Sequence, residues 1–363
     1  MWNDLKNILI IKPSSLGDIV LALPALSALR RSFPEAKISW LVRPEFAPIL
    51  KNHPHLTEVI SFDRKFLGKA WYHPKALAAL VSLIWRLRRS KFDVVFDFQG
   101  LFRTACLAYL SGCKKRFGME NARELAHLFY THTTVQDEDC IHLVDYYLKI
   151  IKAAGATPRL RGDRLAPAEA GVDVRFEIPV NPADVDSANR LLASHDIRAR
   201  DYVVFVPGSA HSDKCWPVER FAALADRISA KFDLPIIAVG TESVKSIVDQ
   251  IKGKTSVPIE NFAGQTSLSE LVALLKAAKL VVSNDTGPGH IAAALGTPLV
   301  LMFSWSNPAR IAPYGRSECM VAREPFSRGT KIKSTDPKHS VKAITVDEVF
   351  QKVCEQIKSS IAS

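Results

Sequence analysis

The chain lacks most of the signatures that would assign a chemistry at once. No Gly-x-Gly-x-x-Gly follows its first apolar run, so the fingerprint of a dinucleotide-binding dehydrogenase is missing. There is no Walker A sequence, no HExxH, no DxD and no Gly-x-Ser-x-Gly elbow, and a metal site is therefore unsupported. The six cysteines, at 106, 113, 140, 215, 319 and 354, form no CxxC pair and no metal spacing; they read as reduced thiols of a cytoplasmic protein. No apolar run is long enough to span a bilayer. The start, Met1-Trp-Asn-Asp-Leu-Lys6, passes straight into Ile8-Leu-Ile-Ile11, which is not a signal-peptide pattern.

What is present is an ordinary globular composition, 47% hydrophobic and 23% charged over 363 residues, a length that suggests two domains with separate cores. The net charge of +11 is unevenly placed. Residues 1–165 hold 25 Lys/Arg against 15 Asp/Glu, and the remainder 23 against 22. A basic N-terminal half invites an anionic partner such as nucleic acid, anionic lipid or a phosphorylated glycan. A generally solvated basic surface is the plain alternative.

Apolar runs at 6–12, 37–42, 58–61 and 93–98 read as strands, interleaved with helical patterns at 18–31, 44–51, 75–90 and 101–110. Residues 122–129 and 142–154 are further helix candidates. In helix 75–90 the apolar positions 76, 77, 80, 83, 84 and 87 make one buried stripe. The pattern fades into Pro, Gly and charge around 155–182, then resumes with strands at 202–206, 235–239, 280–282 and 298–302. Helices are expected at 217–231, 243–251, 267–277, 291–295 and 346–357. Alternating strands and helices imply parallel sheets covered on both faces. The expected architecture is α/β, two Rossmann-like domains facing each other across a cleft. Their limits are 1–165 and 166–345, with a terminal helix at 346–363 that can pack back on the N-terminal domain.

Three strand-to-helix junctions in the second half carry the candidate chemistry. Ser283-Asn-Asp-Thr-Gly-Pro-Gly-His290 leads from a strand into a small-residue helix, an arrangement that offers backbone N–H groups and a helix dipole to an anion. Asp285 or Thr286 could equally cap that helix. In Val206-Pro-Gly-Ser-Ala-His-Ser-Asp-Lys-Cys-Trp-Pro217, small residues permit close approach of a ligand, and Lys214 can neutralise a diphosphate unless it is a plain surface lysine. Val239-Gly-Thr-Glu242 puts a carboxylate where a ribose could be held, or a helix capped. Together they argue for a nucleotide diphosphate. In the first half, Asp18 follows Ser14-Ser15-Leu16-Gly17 at the corresponding edge, either as a base or as a helix-end acid.

The order and spacing of Lys12-Pro-Ser-Ser-Leu-Gly-Asp18, Phe92-Asp-Val-Val-Phe-Asp-Phe-Gln-Gly100, Pro207-Gly-Ser with Lys214-Cys-Trp-Pro217, and Asn284-Asp-Thr-Gly-Pro-Gly-His290 resemble the ADP-heptose heptosyltransferases of glycosyltransferase family 9. The resemblance runs from about residue 7 to residue 350. Arg64-Lys65, Lys69-Ala-Trp71, Asn121-Ala-Arg-Glu124 and Leu128-Phe-Tyr130 are similar to the members that add the first heptose. The resemblance implies a GT-B fold with donor bound by the C-terminal domain and acceptor by the N-terminal one. It implies Asp18 as catalytic base and Lys214 as the diphosphate lysine. Ser209, Glu242, Asp285, Thr286, Gly287 and His290 would complete the donor site, and Ser15, Arg64, Lys65, Lys69 and Arg123 would bind the acceptor.

Two departures stand out. Ser209 and Ala210 replace a hydroxyl pair, and Pro337-Lys-His-Ser-Val-Lys-Ala-Ile-Thr-Val346 lacks the cysteines usual in wider members. The implied activity is inverting, metal-independent transfer of L-glycero-D-manno-heptose from ADP-heptose to the Kdo of lipid A. The expected enzyme uses no cofactor, binds no nucleic acid, and works as a monomer at the cytoplasmic face of the inner membrane. The alternatives are a family member with another acceptor, such as the second heptose site, or another nucleotide sugar. A non-catalytic binder of anionic lipid or nucleic acid is the alternative from a different class.

Overall fold

The computed structural model describes residues 5–137, 140–157 and 174–362. The chain divides into two compact units, Met1–Pro179 and Val180–Ser363. The boundary expected at 165/166 lies outside the described residues.

The first unit alternates β1 (Asn7–Ile11), α1 (Leu16–Ser32), β2 (Lys37–Val42), β3 (Glu58–Ser61), α2 (Arg64–Leu67), α3 (Pro74–Arg89), β4 (Val94–Asp97), α4 (Phe102–Leu110), β5 (Arg116–Met119), β6 (His132–Thr134) and α5 (Leu143–Ala153). Its sheet order is β3-β2-β1-β4-β5-β6, with every pairing parallel. The second unit runs α6 (Pro182–Ala193), β7 (Val203–Val206), α7 (Val218–Phe232), β8 (Ile236–Ala238), α8 (Lys245–Lys252), β9 (Ile259–Asn261), α9 (Leu268–Ala277), β10 (Leu280–Asn284), α10 (Gly287–Ala294), β11 (Leu299–Met302), α11 (Pro308–Ile311), β12 (Met320–Val321) and α12 (Val346–Ala362). Its order, β12-β11-β10-β7-β8-β9, is the same doubly wound topology. In each unit the strand order reverses beside the first strand, between β1 and β4 and between β7 and β10. Ligands of such sheets bind at the carboxyl ends of those two strands.

The central strands β4, β7, β10 and β11 are buried at every position. Strands covered by helices on both faces need continuous apolar runs, and this is why they stood out in the sequence. The short strands β5, β6, β9 and β12 did not, and helix α6 was missed as well.

Two expectations require correction. Residues 122–129 do not form a helix; only a 3₁₀ turn at Ala126–Phe129 does, because Glu124 and Leu125 take left-handed φ values of 57° and 58°. On α3, Ala76, Leu83 and Leu87 are buried, but Leu77 is half exposed and belongs to a different face. The terminal helix α12 packs within the second unit. Its Val349, Val353 and Ile357 are buried in the second unit's core with Leu280, Val300 and Met302, and Gln356 Oε1 accepts the Leu299 N–H at 3.4 Å. Among the described residues, no helix is long and apolar enough to cross a membrane, and all six cysteines are free thiols.

Candidate functional site

In the first unit, the turn between β1 and α1 sits at the switch point. Lys12 directly follows β1 and is almost wholly buried, and its Nζ lies 3.4 Å from Asp18 Oδ2. The same carboxylate oxygen accepts the Ser15 N–H at 3.2 Å. Asp18 is thus a helix-end acid and also the partner of a buried ammonium, and about a third of its side chain (32%) remains exposed. Burial works against the Lys12 charge, but Asp18 and the nearby Tyr147 outweigh it and hold the ammonium above its ordinary pKa. Lys12 contributes a role that the sequence reading did not assign.

The loop after β4 is tied to this turn. Asp97 is fully buried; its Oδ1 accepts the N–H groups of Gln99 (2.8 Å) and Gly100 (3.3 Å), and its Oδ2 accepts the Tyr130 hydroxyl at 2.8 Å. Burial pushes the Asp97 pKa up despite these donors. Gln99 Oε1 in turn accepts the Ser14 N–H at 3.3 Å. Asp97 positions the loop that holds the Ser14–Ser15 turn. A buried acid ending an apolar strand is its only trace in the sequence.

Of the expected acceptor residues, Ser15 is exposed on the Asp18 turn, and Arg64, Lys65 and Lys69 are exposed on and just after α2. Arg123 is exposed too, and its backbone N–H is bound to the Gly100 carbonyl at 3.0 Å, beside the end of β4. The structure therefore links Ser15, Asp18 and the Gln99–Gly100 loop through hydrogen bonds, whereas α2 is attached to the other side of the sheet, after β3.

In the second unit the loop after β7 and the end of β10 are locked together. Asn284 is fully buried; its Oδ1 accepts the Trp216 N–H at 3.0 Å and its Nδ2 donates to the Pro207 carbonyl at 2.8 Å. Trp216 is anchored by its indole N–H, which donates to the Ile344 carbonyl at 2.9 Å. On this frame Lys214 Nζ reaches Asp285 Oδ2 at 2.7 Å, and His290 Nε2 lies 3.3 Å from Asp285 Oδ1. Asp285 and His290 are buried. Burial alone would raise the Asp285 pKa, but the His290 hydrogen bond and the Lys214 ammonium hold it well below the ordinary carboxylate range. His290 Nδ1 is buried without a hydrogen-bond partner.

The helix after this loop starts earlier than expected. Gly287-Pro-Gly-His290 forms the first turn of α10 rather than a loop before it, with Pro288 pre-set for a helix start. Thr286 is its N-cap residue, but no side chain caps the helix. The Thr286 hydroxyl donates instead to the Asn284 carbonyl at 3.2 Å, and Asp285 is engaged with Lys214 and His290. The capping role weighed for these two residues is not the one they take. The N-terminus presents backbone N–H groups and the positive end of the helix dipole, an arrangement suited to an anion. Gly289 lets α10 lie close on the sheet, since a Cβ there would meet Leu301 Cδ1 at 2.5 Å.

Other positions fall differently. Gly208 accommodates the Val244 side chain, which a Cβ would overlap, so its smallness serves packing. Ser209 Oγ accepts the His211 N–H at 3.4 Å. Glu242 is largely exposed, 3.7 Å from Lys245 Nζ. Lys214, Asp285, Thr286, Gly287 and His290 are brought together directly; Ser209 lies on the loop leading to Lys214, and Glu242 on the separate turn after β8. Among the described residues, no group of three His, Cys, Asp or Glu side chains could hold a metal ion.

The family model for glycosyltransferase family 9 (heptosyltransferase) matches residues 80–342. The chain belongs to glycosyltransferase family 9. Lipopolysaccharide heptosyltransferase 1 of Escherichia coli K12 is 29% identical over 88% of this chain and 93% of its own length. Lipopolysaccharide heptosyltransferase 3 of the same strain is 25% identical over 91% and 94%. The solved structure of E. coli heptosyltransferase WaaC with ADP superposes with a TM-score of 0.73 at 25% identity, covering 96% of this chain and 99% of that one. Both six-stranded parallel sheets are thus those of a family 9 heptosyltransferase, the α/β architecture of the GT-B class.

Proposed function

We propose that this family 9 enzyme transfers L-glycero-D-manno-heptose from ADP-heptose to the Kdo of lipid A, with inversion and without a metal ion. The observation that carries the reading is the Asp18 carboxylate, set at the switch point of the first sheet by Lys12 and the Ser15 N–H yet still open to solvent. There it takes the proton of the acceptor hydroxyl as that oxygen attacks the anomeric carbon. The ADP oxygen leaves from the opposite face, which inverts the centre. The neighbouring Lys12 ammonium and the Ser15 N–H fix the direction of the carboxylate.

The diphosphate is assigned to Lys214 and the N-terminus of α10. An ammonium has three donors. One is used on Asp285, which leaves the others for phosphate oxygens. Donors fixed before charge develops on the leaving group supply the electrostatic stabilisation that usually matters most. Ser209, Glu242 and His290 line the donor side, and Arg64, Lys65, Lys69 and Arg123 receive the acidic sugars and phosphates of the acceptor. The enzyme acts as a cytoplasmic monomer, peripheral at the inner membrane.

Release of ADP from ADP-heptose, followed with Kdo-lipid A and with the same acceptor already carrying one heptose, tests the reading. Turnover with the first acceptor supports it. Turnover only with the second would assign a later heptose, a reading favoured by the similar identity to heptosyltransferase 3. Turnover with neither would overturn both.

A further inference from the structure

The outer face of α3 carries apolar side chains that no described residue covers. Leu77, Val81 and Trp85 follow one another at four-residue steps and are 50, 55 and 62% exposed. In the lead-in to the helix, Trp71 is 85% exposed and Tyr72 56%; their rings pack edge to face at 4.6 Å. Isolated surface hydrophobics need no explanation, but two tryptophans, a tyrosine and two aliphatics on one helix and its approach form a contiguous patch.

The surroundings of this patch are cationic. There is no carboxylate on α3, and Lys69, Lys75, Arg88, Arg89 and Lys91 are all exposed around it. Arg88 continues the row Leu77, Val81, Trp85 by a further three residues, and the Arg89 guanidinium lies 5.2 Å from the Trp85 ring centroid. At the end of the helix, Arg88 and Lys91 join Lys114 and Lys115 in lining a cavity of about 560 Å³. The one acid there, Asp93, has its Oδ2 taken by the Lys6 and Asn7 N–H groups at 2.8 Å.

We propose that this face docks on an anionic phospholipid surface. Trp71, Tyr72 and Trp85 would enter the boundary between headgroups and acyl chains, and Arg88, Lys91, Lys114 and Lys115 would meet lipid phosphates. Aromatic rings flanked by cations are the composition that settles at that boundary. Stacking on nucleic acid would use the rings but leaves the aliphatic Leu77 and Val81 without purpose. A bilayer accepts both. The inference extends the proposed function, for which a lipid-linked acceptor must be reached at a membrane, but its test needs no acceptor.

The test is co-sedimentation of the full chain with vesicles rich in phosphatidylglycerol and with vesicles of phosphatidylcholine alone. Two variants accompany it, Leu77→Ser/Val81→Ser/Trp85→Ser and Arg88→Gln/Lys91→Gln/Lys114→Gln/Lys115→Gln, each checked for an unchanged Tm. Binding of the parent to the anionic vesicles, lost at least about tenfold in each variant and on phosphatidylcholine, supports the proposal. Absence of binding by the parent, or equal binding by parent and folded variants, overturns it. So does a dimer of the parent that the first variant makes monomeric without any vesicle binding, or retention of single-stranded RNA instead of vesicles. If a variant loses Tm, single Leu77→Ser and Trp85→Ser substitutions replace it. Failure of heptose transfer with intact vesicle binding would remove the proposed function and leave this surface standing.

Discussion

The Lys214 ammonium meets the Asp285 carboxylate at 2.7 Å, although the two residues are 71 positions apart in the chain. The pair joins the loop after β7 to the end of β10. A lysine proposed to bind diphosphate is thereby held by a buried acid before any ligand arrives. Neither residue can be changed as if it stood alone.

Replacing Lys214 by Ala should therefore do two things. Donor affinity should fall at least about tenfold, since a charge-assisted hydrogen bond contributes about 1.5–3 kcal/mol. Stability should fall as well, by up to about 3–5 kcal/mol, because Asp285 would be left charged and buried. In Lys214→Ala/Asp285→Asn the Tm should recover while ADP binding, measured by calorimetry, stays weak. Normal ADP affinity in the double variant would remove Lys214 from the donor site.

For Asp18→Asn, kcat should drop by about 10²–10⁴ with ADP-heptose affinity little changed, the size expected for a lost general base. The structure adds a stability effect: the buried Lys12 loses its carboxylate, at about 1.5–3 kcal/mol. Lys12→Met/Asp18→Asn should regain part of the Tm but none of the rate. Near-normal turnover in Asp18→Asn would leave this residue as a helix-end acid only.

His53 gives the first unit a pH limit. Its Nδ1 accepts the His55 N–H at 3.2 Å, and its Nε2 donates to the Glu177 carbonyl at 2.9 Å, so the ring is held neutral. Burial lowers its pKa from 6.5 to about 4. Because the folded value lies below the unfolded one, the stabilisation is fully present above pH 6.5 and is lost as pH falls towards 4. The loss should reach about 3 kcal/mol. Urea midpoints of the parent and His53→Gln between pH 7.5 and about 4.5 check this. Parallel curves for the two proteins would show that His53 does not titrate in that way.

Neutralising Arg64, Lys65 and Arg123 together should raise the acceptor KM far more than the donor KM. These side chains are exposed, so the difference should shrink at high salt, where charges are screened within a Debye length. Equal effects on both substrates would mean that the patch supports the fold rather than the acceptor.

Activity should survive chelation by EDTA, because the proposed donor site balances the diphosphate charge with Lys214 and the α10 N-terminus. Loss that magnesium or manganese restores would reveal a metal-ligand set.

The sequence by itself determined the α/β class, the two doubly wound units and the family. Central parallel strands are buried on both faces and must be written as unbroken apolar runs, as in Val203–Val206 and Leu299–Met302. The loops at their carboxyl ends then stand out as polar, glycine-containing breaks. Edge strands such as His132–Thr134, with two of three residues exposed, carry no such run and were invisible. Which polar residues meet was decided only by the fold, because hydrogen bonds join loops far apart in the chain and local periodicity does not record them. Asn284 binding both Pro207 and Trp216, and Asp97 holding the loop that touches Ser14, depend on strands brought side by side. The faces of α3 were decided the same way: its two apolar stripes are chemically alike, and the sheet covers only one of them.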